Sequence, residues 1–245
     1  MDAKPKRPRG RPRIKLPPEL SRKRVTRHAL HKQALGELRE MIVRGELKAG
    51  EKIAEASVCE MLGISRTPLR EALKLLSAEG LIELRPNRGA VIAPLRIDEL
   101  TSLFEVVAGI ERLAAELAAM RFTTSDIDRL RALQEEMERH FGHGDREDYF
   151  RLNQEVHSLI VSGAKNEVLS ATHAWLLARA ERARYLALDV QGRWLESIDE
   201  HRAILQALED RDAERAGRLL ETHIKHTGTA VLAALARQEP EKSGG

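Results

Sequence analysis

The sequence has little aromatic content, a single cysteine and no long apolar run. Phe, Trp and Tyr make up 3% of the 245 residues, whereas Ala, Leu, Glu and Arg are abundant, and this composition favours helices over sheets. The one cysteine, Cys59, excludes an internal disulfide framework, and we interpret it as a small apolar helix residue. No apolar run approaches the roughly 18 residues of a membrane span, and no apolar segment follows the basic N-terminus as it does in secretory signals. With 42% apolar residues, the chain is expected to be a folded cytoplasmic protein with no membrane partner.

Positive and negative charges are distributed unevenly along the chain. Residues 1–27 contain 11 Lys/Arg and 2 Asp/Glu, for a net charge of +9, whereas residues 96–245 contain 20 and 27, for −7. The segment between them, residues 28–95, is nearly neutral at +1. A basic N-terminal segment ahead of an acidic C-terminal part indicates that the N-terminal segment binds a polyanion.

The N-terminal arm, residues 1–24, holds five of the nine prolines together with many basic residues, and we predict that it is disordered when free. Within it, Arg9, Gly10 and Arg11 lie between two prolines, in a run that resembles the core of an AT-hook. A glycine lets the backbone lie deep in a narrow minor groove, where flanking arginines meet the most negative potential. The alternative is a generic basic tail that binds any DNA backbone.

The segment SRTPLREALKLLSAEGL, residues 65–81, has the pattern of an amphipathic helix. Leucines recur on one face, Ser65 is suited to cap the N-terminus through its hydroxyl, and Gly80 is suited to end the helix. The other face carries Arg66, Thr67 and Arg70 at its leading end. Arginine in such a place can contact O6 and N7 of a guanine in the major groove, and the alternative is a solvated surface face.

The surrounding segments complete a winged helix-turn-helix pattern. The predicted elements are helices over residues 27–44 and 55–62, the Ser65 helix, and β-prone runs over residues 81–85 and 90–93. Gly63 ends the short helix, and the two β-prone runs flank a turn and predict a hairpin, or wing. The tip of this wing, Asn87-Arg88-Gly89, is polar, basic and able to approach a phosphate or the minor groove.

Three motifs run through residues 38–94: GELKAGEKIAE, LGISRTPLREAL and AEGLIELRPNRGA. Together they resemble the winged-helix domain of the GntR family of bacterial transcription regulators. The resemblance implies that bases and phosphates are contacted by Ser65, Arg66, Thr67, Arg70, Arg88 and Gly89. One position departs from the family. Some members have an arginine just after the glutamate that matches Glu55, where this chain has Ala56, so we expect a different operator preference.

Beyond Pro94 the apolar pattern is helical almost to the end of the chain. It predicts six helices, from about Ile97 to about Arg237, that form an antiparallel bundle. The predicted fold class is therefore mostly α, with an N-terminal winged helix-turn-helix followed by an all-α bundle. The predicted domains are the basic arm at 1–24, the DNA-binding domain at 25–95, the helical effector-binding and dimerisation domain at 96–238, and a tail at 239–245.

Four polar residues of the helical domain form a candidate metal site. Asn153 and His157 are four residues apart and share a helix face. His201 and His223 lie at similar distances from a short turn between two antiparallel neighbours, so they can face each other. Three imidazoles and an amide oxygen suit a divalent ion such as zinc, nickel or manganese. The alternative is a set of ordinary core or surface histidines.

Four segments within residues 99–228 resemble the FadR C-terminal domain, FCD, which is found behind this DNA-binding module. They are LFEVVAGIERLAAELAA, LNQEVHSLIVSGAKNEVL, SIDEHRAILQALEDRDAERA and LLETHI. The resemblance implies a domain that binds an effector and a metal, with ligands at Asn153, His157, His201 and His223. Asn153 replaces the more common aspartate, which implies weaker metal binding. Val107 replaces an arginine that binds an effector carboxylate in many members, so a carboxylate would need another partner, such as the metal itself.

These observations predict a bacterial one-component transcription regulator and not an enzyme. As a homodimer it would bind a palindromic double-stranded DNA operator, and it would respond to a small carboxylate effector, with repression the commoner mode in the family. The first alternative is a metal-dependent hydrolase or isomerase fused to a DNA-binding head, with Glu200 as the only nearby candidate for a general base. The second is an architectural DNA-binding protein that uses the arm, with the bundle serving only to dimerise.

Overall fold

The computed structural model of the protein describes residues 18–86, 89–187, 190 and 192–238. Its elements are α1 (Pro18–Val43), α2 (Glu55–Leu62), α3 (Arg66–Ala78), β1 (Ile82–Arg85), β2 (Gly89–Ile92), α4 (Ile97–Arg121), α5 (Thr124–His143), α6 (Arg146–Gly163), α7 (Glu167–Ala187), α8 (Arg193–Glu209) and α9 (Ala213–Gln238). The predicted fold class is confirmed, because a two-stranded wing follows the helix-turn-helix and helices make up the remainder of the described chain.

The N-terminal half has an apolar core of its own, which α1, α2, α3 and the hairpin enclose. The strands β1 and β2 pair antiparallel, with Ile82 opposite Ile92 and Arg85 opposite Gly89. Lys52 extends this small sheet through a single bridge to Val91. The largest fully buried side chains of this core are Leu38, Ile42, Leu69, Leu73, Leu76, Leu81 and Ile92. This packing holds α3 at the surface with its polar face outward.

The structure differs from the predicted basic arm at residues 18–24, which are helical because α1 begins at Pro18. A proline is well tolerated as the first helical residue, since its missing N–H would have no intrahelical partner there. Residues 19–35 contain neither glycine nor proline to interrupt the helix. The AT-hook-like residues Arg9, Gly10 and Arg11 lie outside the described residues, as do wing residue Arg88 and the tail at 239–245.

Two helix caps differ from the sequence prediction. Ser65 occupies the N-cap position of α3 with extended backbone angles, yet its hydroxyl makes no capping hydrogen bond to the described first turn. Pro68 takes the third helical position, so one of the two N–H groups that a serine cap can bind is missing there. For α5 the sequence Thr124-Ser125-Asp126 predicts the cap, whereas the cap is Thr123, one residue earlier, and Thr123 and Asp126 exchange hydrogen bonds in a capping box.

The helical half is built from α4 to α9, and α4 packs most extensively against α9. Gly228 permits this close packing, because a Cβ there would lie 3.0 Å from Cγ of Phe104. Two apolar clusters form the core, one around Met137, Tyr149 and Ile160 and the other around Val107 and Ile224. None of the helices in the described part of the chain combines the length and the hydropathy of a membrane span.

Helix α7 joins the two halves. Ala178 packs into the apolar core of the N-terminal half, and the Arg182 guanidinium donates to the Ala93 carbonyl at 2.6 Å. Ala93 follows β2 directly and begins the linker to α4. A longer ion pair of 3.6 Å joins Arg44 at the end of α1 to Glu147 in α6. The helical half therefore contacts both the core and the linker of the DNA-binding half.

Candidate metal centre and DNA-binding surface

The polar face of α3 is exposed while its other face is fully packed. Its buried residues are Pro68, Leu69, Ala72, Leu73 and Leu76. The exposed residues at the leading end are the four that the sequence predicted: Ser65, Arg66, Thr67 and Arg70. Because Ser65 makes no capping bond within the described residues, its hydroxyl is available to an outside partner. The leading end of α3 thus presents two guanidiniums and two hydroxyls on a rigid helix.

Arg70 is held by an ion pair with Glu55, the first residue of α2. Its Nε lies 3.0 Å from Glu55 Oε2, and the Arg70 side chain remains 62% exposed. This contact links the two helices of the motif and orients the guanidinium along α3. At the wing, Gly89 is exposed and has a φ of +79°, a left-handed angle that glycine adopts without strain. The exposed Lys52 side chain lies beside it, a basic neighbour that the sequence analysis missed.

The structure brings the predicted metal-site residues together. His157 on α6, His201 on α8 and His223 on α9 are all buried, and one ligand nitrogen from each lies within 4.8 Å of the others. The three ring centroids are 4.6 to 5.2 Å apart. Asn153, one turn before His157, places its Nδ2 3.1 Å from Nε2 of His201. We refer to these four residues as the histidine cluster.

Two carboxylates support the outer side of the cluster. Oε2 of Glu111 in α4 lies 2.6 Å from Nδ1 of His157, and Oε2 of Glu200 lies 2.7 Å from Nδ1 of His223. Each carboxylate accepts the Nδ1–H, which fixes the tautomer and directs the Nε2 lone pair toward the centre. Nε2 of His157 has no hydrogen-bond partner among the described residues. A buried lone pair without a hydrogen-bond donor can coordinate a cation, so the donor set fits a metal ion.

Glu111 is the centre of a buried polar network that the sequence analysis missed. It is fully buried, and besides His157 it contacts Nε2 of His173 at 3.1 Å and the Arg184 guanidinium through a short hydrogen bond. Burial alone would raise the pKa of Glu111, but Arg184 and His157 outweigh it and hold that pKa well below its usual range. The carboxylate is therefore ionised and its charge is balanced by Arg184.

Burial also sets the protonation of the imidazoles. It lowers the pKa of His157 and His201, and it lowers the pKa of His223 to about 4. Burial would raise the pKa of Glu200, but the hydrogen bonds from its histidine and arginine partners lower it to about 2. At neutral pH the cluster consequently offers neutral imidazoles supported by ionised carboxylates, which is the state that metal coordination requires.

A small cavity of about 30 Å³ adjoins the cluster, with Asn153 and His223 in its wall. Arg193 also lines it and donates to Glu200 at 2.8 Å and to Thr227 Oγ1 at 2.9 Å. Its Nη1 makes no hydrogen bond to the described residues and lies 3.8 Å from Oε2 of the exposed Glu196. Arg193 thus supplies a buried guanidinium near the cluster, while Val107 is packed in the apolar core.

In this arrangement Glu200 is not placed to act as the general base that the hydrolase alternative requires. Glu200 Oε2 is occupied by Nδ1 of His223 and by Arg193, and its other oxygen lies 2.5 Å from Nδ1 of His226. A carboxylate in this position orients the histidine from behind and does not face the centre of the cluster.

Comparisons with known proteins agree with both halves of the molecule. The model of the "Bacterial regulatory proteins, gntR family" matches residues 30–92, and that of the "FCD domain" matches residues 102–226. The chain is 32% identical over 192 residues to the Nta operon transcriptional regulator of Aminobacter aminovorans, covering 78% of this chain and 90% of that protein. It is 26% identical over 194 residues to the transcriptional repressor RspR of Escherichia coli, covering 79% of this chain and 85% of that protein. Among solved structures, E. coli McbR/YncC superposes with a TM-score of 0.75 at 22% identity, over 86% of this chain and 99% of that one, and so shares the fold.

Proposed function

The chain belongs to the GntR family of bacterial regulatory proteins and carries an FCD domain, and we propose that it is a ligand-responsive repressor. The family and the relatives are DNA-binding transcriptional regulators, some of them named repressors, and not enzymes. In the proposal, a dimer binds a palindromic operator and leaves it when a small carboxylate binds beside a metal ion in the histidine cluster. One observation carries it: a packed helix presents Arg66, Thr67 and Arg70 outward in the same chain that buries a three-histidine cluster.

The DNA-binding role is assigned to the leading end of α3, with Gly89 and the neighbouring Arg88 at the wing. A helix of this kind lies in the major groove, where its first residues contact base edges over a few base pairs. Two copies related by a two-fold axis would double that contact, with half-sites about 10 base pairs apart.

A stripe on α4 supports dimerisation with a second copy of this chain. Val106, Leu113 and Met120 are seven residues apart, hence on one helix face, and their exposed fractions are 52%, 46% and 63%. Such an apolar row on a surface helix is the pattern by which helices pair. The two-fold symmetry that a palindromic operator requires would follow from α4 packing against its own copy.

Leu113→Glu tests this dimer. The substituted side chain is exposed, so folding should be retained while two buried charges would oppose each other across the axis. Sedimentation should show a dimer for the wild type and a monomer for the variant, with operator affinity reduced. Val168→Glu, at a more exposed apolar residue on α7, is the matched control and should remain a dimer. Dimerisation of both variants would exclude α4 as the interface.

The metal would be held by His157, His201 and His223, with Asn153 as a fourth, oxygen ligand. The Asn153 amide presents Nδ2 to His201, so ligation requires the amide to turn end for end. Zinc, nickel and manganese all accept such a set. The bound ion would supply a positive charge that anchors a carboxylate. FCD domains often bind a metal, and the unpartnered Nε2 of His157 among the described residues supports one here.

Arg193 is the proposed second partner of a carboxylate effector. It would take the role of the family arginine at the position of Val107, because its side chain lines the cavity beside the cluster and its buried Nη1 makes no hydrogen bond to the described residues. A volume of about 30 Å³ is close to that of a single water, so an acid must displace side chains of the cavity wall. This displacement provides a way for effector binding to change the packing of the helices.

Elemental analysis of protein purified without chelator or affinity-tag metal tests the metal. About one divalent ion per chain is expected in the wild type and none in His201→Ala, with a metal-dependent rise in melting temperature in the wild type alone. His143→Ala is the matched control, because that imidazole is exposed, lies outside the cluster and has its Nδ1 2.6 Å from the Arg139 carbonyl oxygen. A wild type that holds no ion and whose melting temperature ignores added zinc, nickel and manganese would overturn the metal assignment.

Selection of bound sequences from random double-stranded DNA tests the DNA-binding role. The enriched sequence should have two-fold symmetry, and Arg66→Ala should enrich a degenerate version of it. Enrichment without symmetry would contradict binding as a dimer. A library that emerges without any enriched sequence would support the architectural alternative.

A further inference from the structure

A cleft of about 630 Å³ lies between the two halves of the molecule and is separate from the histidine cluster. Its wall combines the end of α1 and the following turn, the linker after β2, and side chains from α6, α7 and α9. The lining residues are Ile42, Val43, Arg44, Gly45, Leu47, Lys48, Ala49, Pro94, Leu95, Arg146, Arg182, Tyr185 and Leu235. None of them borders the small cavity beside the cluster. The volume is typical of small-molecule sites.

The charge of this cleft has one sign. Four cationic side chains line it, Arg44, Lys48, Arg146 and Arg182, and none of the described lining residues is acidic. Arg44 is partly balanced by glutamates outside the wall, Glu147 at 3.6 Å among them. The charge of Arg182 makes the cleft attractive to an anion.

Arg182 is the cation that most needs a partner. Its side chain is buried, and its Nη1 donates to the Ala93 carbonyl at 2.6 Å. No carboxylate of the described residues forms an ion pair with it, and burial lowers the pKa of its guanidinium to about 10, which still leaves it charged at neutral pH. A buried charge without a counter-charge is costly, and an anionic ligand would remove this cost.

The rest of the wall fits an apolar body. The Tyr185 ring lies 4.4 Å from the Arg146 guanidinium carbon, in a cation–π contact, and Tyr185 also accepts from Arg146 through its carbonyl. Leucines 47, 95 and 235 and Pro94 complete an apolar surface around the cations. An apolar pocket with a few converging charged groups selects ligands that carry an acid on an apolar or aromatic frame.

We propose that this cleft is a second ligand site, which binds an organic anion with an apolar or aromatic body through Arg182 and Tyr185. A ligand there would touch both the turn after α1 and the linker that Arg182 holds. It would thereby fix the DNA-binding half against the helical half. This last consequence rests on the proposed function, whereas the binding itself does not.

Titration with 8-anilinonaphthalene-1-sulfonate, an aromatic sulfonate whose fluorescence rises in apolar sites, tests the binding. The full chain should bind about one probe per chain, and Arg182→Gln should weaken binding at least tenfold. Arg182→Lys, which keeps the charge, should lose less. Arg179→Gln is the matched control, because it removes the same charge from an exposed position of the same helix outside this cleft. His201→Ala should bind the probe as the wild type does.

Equal probe affinity in the wild type, Arg182→Gln and Arg179→Gln would overturn the proposal. So would equal binding of the neutral analogue N-phenyl-1-naphthylamine, because an apolar surface without charge selection would then explain the signal. Loss of binding in His201→Ala alone would move the probe to the histidine cluster and also overturn it. Saturating probe should change the operator affinity of the wild type and leave the operator affinity of Arg182→Gln unchanged. If the probe binds without changing operator affinity, the cleft is not coupled to DNA binding. If no operator is found, the proposed function is wrong, but the result of the probe titration stands.

Discussion

Replacing Glu111 by glutamine should weaken both the fold and the metal site. The substitution keeps the size of the side chain but removes a fully buried negative charge that faces His157, His173 and Arg184. Arg184 would then be a buried cation whose remaining side-chain hydrogen-bond acceptor among the described residues is the neutral Gln154. The Nδ1–H of His157 would lose its charged acceptor, and the tautomer that directs Nε2 to the centre of the cluster would no longer be enforced.

The size of the effect follows from this geometry. Removing one member of a buried ion pair costs about 3–5 kcal/mol, because the other charge is left uncompensated. For a chain of this length that loss lowers the melting temperature by about 6–20 °C. Loss of a carboxylate behind a metal-binding histidine lowers metal affinity about 10–100-fold. At saturating metal this second effect removes a further 1.4–2.7 kcal/mol or so of metal-dependent stabilisation.

Urea and thermal unfolding of the two proteins, with chelator and with added zinc, separate these effects. Glu111→Gln should be less stable than the wild type in chelator, and the difference should grow with zinc. Glu221→Gln is the control, since Glu221 is partly exposed and pairs with the half-exposed Arg112 and the exposed Lys225, so its loss should be small. A Glu111→Gln protein that has the wild-type melting temperature in chelator, and the same zinc-dependent rise in melting temperature as the wild type, would refute this prediction.

Three further predictions concern other parts of the molecule. Arg66→Ala should cost about 1–3 kcal/mol of operator binding and relax the base preference, and equal losses on operator and scrambled DNA would make Arg66 a phosphate contact. Deleting residues 1–17, which carry a net charge of +6 and precede α1, should lower DNA affinity and flatten its salt dependence, more so on A·T-rich flanks if the arm binds the minor groove. Thr123→Ala should cost about 1 kcal/mol in urea unfolding by removing the cap of α5, whereas Thr124→Ala should have little effect.

The helices and the wing were predictable because local signals determine them. Helix α2 begins at Glu55 and ends at Leu62 as predicted, since Gly63 adopts the left-handed angle that ends it. Helix α4 likewise spans Ile97–Arg121 as predicted. The N-cap position of Ser65 was predicted correctly but its hydrogen bond was not, because Pro68 removes one of the N–H groups that the hydroxyl could bind.

The histidine cluster could be predicted from the sequence, but the Glu111 carboxylate that supports it could not. Asn153 and His157 are one helical turn apart, and a short turn relates His201 to His223, so spacing predicted each pair, and the resemblance to the FCD domain placed both pairs in one site. Glu111 lies 46 residues from His157 and 73 from Arg184, and no spacing rule connects them. The available signal was a glutamate within the apolar face of α4, where a buried charge requires partners on the helices packed against it.

The interdomain cleft also lay beyond sequence reasoning. In the sequence, nothing distinguishes Arg182 from the other two arginines of α7. Its burial depends on how the linker at Ala93 crosses that helix. Tyr185 and Leu47 belong to different halves of the chain and line one cavity only because α7 packs against the DNA-binding half.

The central claim is that this chain reads a specific operator as a dimer. Its most direct test is a single equilibrium titration, at one salt concentration, of the selected operator and of a scrambled duplex, with the number of chains per duplex measured by sedimentation. We expect an affinity for the operator at least about 10³-fold higher than for the scrambled duplex, with two chains bound to each operator. Affinities that agree within tenfold, or one chain per operator at saturation, would contradict it.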